Sequence, residues 1–365
     1  MSTGTTYPER YEALLSDKAE RLKQLFSDFQ IPEPEVFTSA PENFRMRAEF
    51  RVWHEGDQTH YIMFDQETRE KVQVTEFPIG STRINELMRP VMDALCQQEI
   101  LRRKLFQVEF LTTQAGEAIV SLLYHKQLSE EWEAAARPLR DQFGIEIIGR
   151  ARKQKIVLDR DYVTEELNVC GRLWRYNQVE NSFTQPNAGI NEKMLSWAQE
   201  VTSGSASEEK SDLVELYCGN GNFTCILAQN FDQVLATEIS KSSVNSAHKN
   251  FEMNAVDNVT IARMSSEEFT QALNKERPFR RLAHVDLDSY NFSTIFVDPP
   301  RAGLDPATEA LVQRFDRIVY VSCNPVTLKE NLETLSQTHR IEKLALFDQF
   351  PYTDHIESGV LLTRK

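Results

Sequence analysis

The sequence predicts an α/β chain of two domains: an α+β domain on an antiparallel sheet (residues 1–180) and a doubly wound, Rossmann-like parallel sheet (residues 181–365). Three observations predict it. A length of 365 residues exceeds what one ordinary core organises. In the first half, short alternating segments come in bursts broken by two helical patterns, as in an α+β domain. In the second half, buried apolar runs alternate with helical or polar sequence, which is the βαβ rhythm of a parallel sheet.

Taken in order, residues 7–29 read as a helix. Strands are expected at 46–53, 61–64, 71–74, 105–111, 118–124, 145–148 and 155–158, with helices at 82–98 and 129–142. A helix follows Pro186 and runs to about Val201. The stretch from Thr202 to Ser211 is of low complexity and reads as a surface loop. Beyond it, apolar runs at 213–217, 233–237, 259–263, 294–297 and 317–322 are the parallel strands. Two last runs, 343–347 and 360–363, are close enough to pair as a closing hairpin. Function is then expected at the carboxyl ends of the strands, near the switch in strand order.

Composition narrows the function classes. Hydrophobic residues make up 41% and charged residues 26% of the chain, the profile of a soluble globular protein. No apolar run approaches a membrane span, and Met1 to Arg21 is polar, without the apolar region of a signal peptide. A cytoplasmic location is expected. The five cysteines (Cys96, Cys170, Cys218, Cys225 and Cys323) are scattered and form no C-x-x-C pair, which argues against disulfides, a metal site and an iron–sulfur cluster. A net charge of −14 points away from nucleic acid, but phosphate contacts need only a local basic stripe. Three clusters in the first half could supply one: Arg45, Arg47 and Arg51; Arg102, Arg103 and Lys104; Arg150, Arg152, Lys153 and Lys155. Solvated strand and helix faces would look the same.

The segment Asp212-Leu-Val-Glu-Leu-Tyr-Cys-Gly-Asn-Gly-Asn-Phe223 is a strand running into a glycine turn. Gly219 and Gly221 permit positive φ and close backbone approach to a ligand. The third glycine of a dinucleotide fingerprint is replaced by Thr224, so a pyrophosphate is not indicated. S-adenosylmethionine (SAM), which has no phosphate, suits the turn. At the end of the next strand stands Glu238, where a carboxylate can accept both ribose hydroxyls.

The fourth strand ends in Asp298-Pro-Pro-Arg301-Ala-Gly303, a stiff corner whose prolines lack N–H groups. Methyltransferases of exocyclic amines carry an aromatic residue where Arg301 stands, which disfavours that chemistry. The fifth ends in Ser322-Cys323-Asn324-Pro325, placing a cysteine at the carboxyl edge beside Asp298. Uracil C5 is too poor a nucleophile to take a methyl group directly. A thiolate added at C6 breaks the conjugation and makes C5 carbanion-like. Cys323 therefore has a chemical reason for its place, whereas Cys218 and Cys225 read as packing. A base must later remove the C5 proton, and the tail Asp348-Gln-Phe-Pro-Tyr-Thr-Asp-His355-Ile-Glu357-Ser offers both His355 and Glu357.

Together these residues resemble the RNA uracil-5-methyltransferases. The matching pieces are Ser182-Phe-x-Gln185-x-Asn187, Glu215-x-Tyr-Cys-Gly-x-Gly-x-Phe223, Asp298-Pro-Pro-Arg-x-Gly303, Ser322-Cys-Asn-Pro325 and Asp348-x-Phe-Pro-x-Thr-x-His-x-Glu357. The set spans about half the chain in the family's order. The resemblance is closest to the bacterial tRNA branch, which methylates the T-loop uridine, and it extends through Arg45-Met-Arg-Ala-Glu-Phe-Arg51 and Lys104-Leu-Phe-Gln107. It implies a SAM-dependent methyltransferase domain behind an RNA-binding domain, with Cys323 as nucleophile and Glu357 as acceptor of the C5 proton. It implies cofactor and base contacts for Gln185, Tyr217, Gly219, Asn222, Glu238 and Asp298, and RNA contacts for Arg45, Arg47, Arg51, Phe106 and Arg301. The implied partners are the T-arm of tRNA and other RNAs with a T-like loop, with no membrane and no obligate protein partner. The iron–sulfur cluster and β-barrel module of the ribosomal RNA relatives are not visible, and no metal is implied.

Two alternatives remain at this stage. RNA cytosine-5-methyltransferases use the same thiolate addition but typically carry a second cysteine in a Pro-Cys after the fourth strand, where Pro300-Arg301 stands here. A tRNA folding factor with methylation secondary is the other, because a T-loop base must be extruded before it can react.

Overall fold

The computed structural model describes residues 4–65, 68–203 and 211–365. From 204 to 210 the expected low-complexity loop lies outside the described residues. In chain order the elements are α1 (Tyr11–Leu25), β1 (Glu35–Phe37), β2 (Arg47–Glu55), β3 (Gln58–Phe64), β4 (Lys71–Gln73), α2 (Thr82–Cys96), α3 (Glu99–Arg102), β5 (Leu105–Thr112), β6 (Ala118–Tyr124), α4 (Glu130–Phe143), β7 (Glu146–Ala151), β8 (Gln154–Val157), β9 (Tyr162–Val169), β10 (Arg172–Val179) and α5 (Ala188–Ser203). There follow β11 (Asp212–Leu216), α6 (Asn222–Leu227), β12 (Val234–Glu238), α7 (Lys241–Met253), β13 (Val259–Arg263), α8 (Ser266–Leu273), β14 (Phe292–Val297), α9 (Pro306–Val312), β15 (Arg317–Ser322), α10 (Pro325–Leu335), β16 (His339–Phe347) and β17 (Glu357–Arg364). The chain divides into two units. The first comprises the segment ending at Glu9, Ala40–Leu167 and Asn177–Ala188; the second comprises Arg10–Ser39, Asn168–Tyr176 and Gly189–Lys365.

The first unit is built on a seven-stranded sheet in the order β4-β3-β2-β5-β6-β7-β8. Its neighbours are antiparallel except β6 and β7. Along β2 the period of two sends Ala48, Phe50 and Val52 inward and Glu49, Arg51 and Trp53 outward. The inward set shares one core with Ile84, Leu87 and Val91 of α2 and with Trp132, Ala136 and Leu139 of α4. Both helices begin at serine caps: Ser81 Oγ accepts from Ile84 N at 3.2 Å and Ser129 Oγ from Trp132 N at 3.4 Å. Strands β9 and β10 form a two-stranded ladder that the sequence reading does not anticipate. Their turn is Cys170-Gly171, with φ of 50° and 78°, the two left-handed residues of a type I′ hairpin.

The second unit carries an eight-stranded sheet in the order β1-β16-β17-β15-β14-β11-β12-β13. Strands β13, β12, β11, β14 and β15 are parallel, and β17 runs antiparallel between β15 and β16. The sheet is doubly wound, as expected. Leu15, Leu22 and Phe26 from α1 and its end join Leu311 of α9 and Leu328 and Leu332 of α10 against Val214, Ile295 and Ile318 of the sheet. The other face is covered from α5 and α6. Trp197 meets Phe347 edge-on at 5.7 Å, and Phe223 lies against Phe296 at 4.6 Å. A Cβ on Gly359 would sit 2.8 Å from Trp197, so that strand position must be glycine for α5 to seat.

Candidate active site

The ladder registers of the second unit gather the polar residues of the carboxyl edge into one row. Leu216 of β11 pairs with Thr237 of β12 and with Val297 of β14, so Tyr217, Glu238 and Asp298 follow at the same level. Tyr320 of β15 pairs with Val297, which brings Cys323 to the edge beyond Asp298. Ser322 pairs with Ser358 of the antiparallel β17, so the next pair along is Cys323 and Glu357. Adjacent strands lie about 4.8 Å apart, so each of these side chains has the next within reach. A parallel strand here would present its carboxyl end; β17 instead brings its first residue to the edge.

The turn after β11 is shaped by three left-handed residues in five: Tyr217, Gly219 and Gly221, with φ of 61°, 56° and 79°. No atom lies within 4 Å of where a Cβ on Gly219 would stand, whereas one on Gly221 would meet Phe251 Cε1 at 2.7 Å. The open backbone at Gly219 is a cradle for a ligand, and Gly221 is fixed by packing against α7. Glu238 holds this cradle in shape. One carboxylate oxygen accepts from Gly219 N at 3.0 Å and the other from Ser240 N at 2.7 Å. Asn222, at the start of α6, exchanges hydrogen bonds with Asn191 of 2.8 and 3.0 Å, and the Tyr217 hydroxyl donates to Ser266 at 2.9 Å. An anchored carboxylate beside bare backbone is an acceptor to which a nucleoside's ribose hydroxyls could donate.

Cys323 lies between the end of β15 and the cap of α10. Ser322 Oγ donates to the Asn324 carbonyl at 3.0 Å and accepts from Asn324 N at 3.1 Å, closing a tight turn around the cysteine. Asn324 caps α10 by accepting from Val326 N at 3.2 Å, and its Nδ2 donates to the Arg301 carbonyl at 2.9 Å. Thr327 Oγ1 donates to the same carbonyl at 3.1 Å. The Asp298–Gly303 corner and the cysteine turn are thus tied together. Arg301 Nη2 donates to His355 Nδ1 at 3.2 Å.

The electrostatics are dominated by buried carboxyls. Burial, with the nearby charge of Asp298, pushes the Glu357 carboxyl well above its usual range, and burial pushes Asp298 up to about 7. Behind them Glu215, 1% exposed in β11, is pushed by burial up to about 8. The neighbouring buried Thr224 hydroxyl works against that shift by hydrogen bonding to the carboxyl. Burial, Glu357 and Asp298 together push the Cys323 thiol up to about 11, with the Arg301 charge working against them. Cys218 and Cys225 are buried, and that burial raises both thiols. His355 is held below its ordinary value by burial and by Arg301, so at neutral pH its ring nitrogen is free to accept from the guanidinium.

Among the expected contacts, Gln185 falls in the first unit, half-buried between β10 and α5. The basic clusters of that unit sort themselves by partner. Arg45 is partly buried and donates to the Arg47 carbonyl at 2.9 Å. Arg102 donates to Thr59 Oγ1 at 3.0 Å. Arg150 makes a two-pronged pair with Glu180 at 2.5 and 2.6 Å, and Lys155 pairs with Asp161 at 2.7 Å. Arg51 stays exposed, its guanidinium 5.7 Å from the Phe106 ring, which stacks on His125 at 3.9 Å and 13°. Sequence reasoning missed His125, whose signal is its register: β5 and β6 pair antiparallel, so the ends beside Phe106 and His125 meet. Among the described residues no three His, Cys, Asp or Glu side chains converge as a metal site requires, and no helix is long and apolar enough to cross a membrane.

Known proteins resemble this chain over nearly its whole length. The family profile of tRNA (Uracil-5-)-methyltransferase matches residues 10–365. A tRNA/tmRNA (uracil-C(5))-methyltransferase of Colwellia psychrerythraea is 56% identical over 363 residues, covering 98% of this chain and 99% of the relative. One of the same description from Cellvibrio japonicus is 60% identical over 355 residues, covering 97% and 96%. Among solved structures, the Pyrococcus abyssi tRNA (uracil-54, C5)-methyltransferase in complex with S-adenosyl-L-homocysteine aligns with a TM-score of 0.72 at 21% identity. It covers 97% of this chain and 83% of that one.

Proposed function

The chain belongs to the tRNA (uracil-5-)-methyltransferase family, and from that premise we propose that it transfers the methyl group of SAM to C5 of the T-loop uridine of tRNA, and of T-like loops in other RNAs such as tmRNA. The observation that carries this reading is the register that sets the Cys323 thiol opposite the Glu357 carboxyl, with Asp298 on the neighbouring strand. The family match leaves the cytosine-directed alternative without support.

Tyr217, Gly219, Asn222 and Glu238 would hold the cofactor, and the bare backbone at Gly219 beside the anchored Glu238 fits it. Gln185 keeps the role that its motif implies. When bound, SAM supplies an electrophilic methyl group on a sulfonium centre. Cys323 releases its proton to water and adds its sulfur to C6, which gives C5 the electron pair that takes the methyl, the broken S–CH3 bond leaving its electrons on what becomes a neutral thioether. C5 then carries both the methyl and its original hydrogen. Glu357 accepts that proton, the electron pair re-forms the C5–C6 double bond, and the thiolate leaves. In its ionised form, a carboxyl that burial disfavours as an anion is a stronger base for this step than one in water. Arg301, beside the thiol, favours its ionised form. Arg47, Arg51 and Phe106 would meet the RNA; Arg45, already engaged with a carbonyl, shapes that surface from within.

Two substitutions separate the halves of the reaction. Cys323→Ala should bind tRNA but form neither 5-methyluridine nor a covalent complex. Glu357→Gln should add and methylate but fail to eliminate, slowing turnover by about 10²–10⁴-fold. A methylated protein–RNA adduct should then persist through denaturing electrophoresis. Turnover by Cys323→Ala would overturn the covalent mechanism, and an adduct absent from Glu357→Gln but present in His355→Gln would move the base to His355.

A further inference from the structure

One buried ion pair of the second unit takes no part in the chemistry above. Lys18, in the middle of α1 and 4% exposed, places Nζ 2.7 Å from Asp348 Oδ1 and 2.7 Å from the Phe350 carbonyl. The side chains of the pair are 5% and 2% exposed. Burying an ammonium is unfavourable, and apolar side chains of similar size often match such a pair in overall stability without fixing the path of a loop as its two hydrogen bonds do. The pair's specific geometry therefore invites a reason beyond adhesion.

That reason lies in what the pair grips. Residues 348–356 form the loop between β16 and β17, and β17 opens with Glu357. Asp348 N donates to the Phe37 carbonyl of β1 at 3.0 Å. One face of α1 reaches along the loop: Tyr11 meets Tyr352 edge-on at 6.0 Å, Lys18 takes residues 348 and 350, and Arg21 donates to Asp354 at 2.9 Å. The next residue is His355, which receives the Arg301 guanidinium at 3.2 Å, and the Arg301 carbonyl binds the cysteine turn through Asn324 and Thr327. A continuous set of contacts thus runs from an N-terminal helix to the nucleophile's turn, bridging 330 residues of sequence at the Lys18–Asp348 pair.

We propose that α1 clamps the β16–β17 loop, and that Lys18 is a positioning residue that holds His355 against Arg301 and Glu357 opposite Cys323. The inference rests on the reading of Cys323 and Glu357 given above. The loop must sit at the thiol for Arg301 to favour its ionisation, and it must fix the first residue of β17 for the carboxyl to reach the C5 proton. Lys18 touches neither reacting atom; it acts through the loop.

The test uses the full-length protein with Lys18→Met, Lys18→Arg and the double variant Lys18→Met/Asp348→Leu, which leaves no charge stranded and serves if the single variant fails to fold. Hydrogen exchange of the 348–356 peptide should quicken at least tenfold in Lys18→Met and in the double variant, with peptides from β14 and β15 unchanged. In the same proteins kcat on tRNA should fall tenfold or more while KM for SAM stays within twofold, and Lys18→Arg should recover part of kcat. Unchanged loop exchange, an undiminished kcat with a loosened loop, or a kcat loss matched by an equal rise in KM for SAM would each overturn the clamp. Failure of the underlying reading looks different: wild-type protein would form no covalent complex with 5-fluorouridine RNA, while loop exchange and kcat would still decide on Lys18.

Discussion

Replacing Glu215 by glutamine should flatten the dependence of this protein's stability on pH. Glu215 is 1% exposed and is pushed by burial from 4.5 up to about 8. The unfolded chain releases this proton near 4.5, while the folded chain keeps it until about 8. Between those values the native state binds the extra proton, so stability must fall as the pH rises through that window. At about 1.4 kcal/mol per pH unit, the loss between pH 5 and pH 8 comes to roughly 3–4 kcal/mol. Glutamine keeps the shape and cannot ionise, so its own burial affects both pH values alike. Urea unfolding of the two proteins at pH 5 and pH 8, without cofactor, measures the difference. The variant should gain roughly 3–4 kcal/mol on the wild type across the interval. Asp298 and Glu357, also raised, add a slope to both proteins that largely cancels, the remainder being the Asp298 charge that helps raise Glu215. Parallel pH dependences would refute the reasoning, because Glu215 would then be ionised in the folded state as readily as in the unfolded chain.

Other outcomes follow from the same geometry. Glu238→Ala should raise KM for SAM ten- to a hundredfold, about 1.5–3 kcal/mol for a charged hydrogen-bonding group, with tRNA affinity unchanged; an unaltered KM would leave Glu238 a purely structural acid. Gly221→Ala should lower the melting temperature more than Gly219→Ala. Both incur the left-handed penalty of about 1–2 kcal/mol, but only the first drives a Cβ to 2.7 Å from Phe251; equal losses would contradict this. Arg51, exposed above the Phe106–His125 stack, should contribute a phosphate contact. Titrating tRNA affinity against salt should therefore show Arg51→Ala with a slope shallower by roughly one unit, and an unchanged slope would remove Arg51 from that role.

Much of this was legible in the sequence because parallel strands are buried on both faces and announce themselves as apolar runs. Once those runs were ordered, the motifs at their ends fell on one edge, which is why Glu238, Asp298 and Cys323 could be named without coordinates. Glu357 was harder. Its place at the edge depends on β17 running antiparallel between β15 and β16, and local periodicity carries no information on which strand a hairpin joins. The β9–β10 hairpin escaped because Cys170 occupies a left-handed position usually marked by asparagine or aspartate, so only Gly171 signalled the turn. The basic clusters have partners that the sequence does not show: Arg102 donates to Thr59 and Arg150 pairs with Glu180, both distant in sequence. Lys18 reads as one more polar residue of an amphipathic helix, and its partner lies 330 residues away.

The carboxyls around Cys323 also bear on how such an enzyme survives between substrates. With the thiol pushed up to about 11, on the order of one molecule in a few thousand carries a thiolate at pH 7.5. Peroxide and other small oxidants attack thiolates, so a half-buried cysteine kept protonated is chemically latent and resists conversion to sulfenic and sulfinic acids. Latency of this kind slows oxidation of the resting protein. It also sets a rule for covalent inhibitors. A general electrophile will find Cys323 sluggish, whereas a pyrimidine that occupies the base's place and recruits the site's own proton transfers will meet it armed.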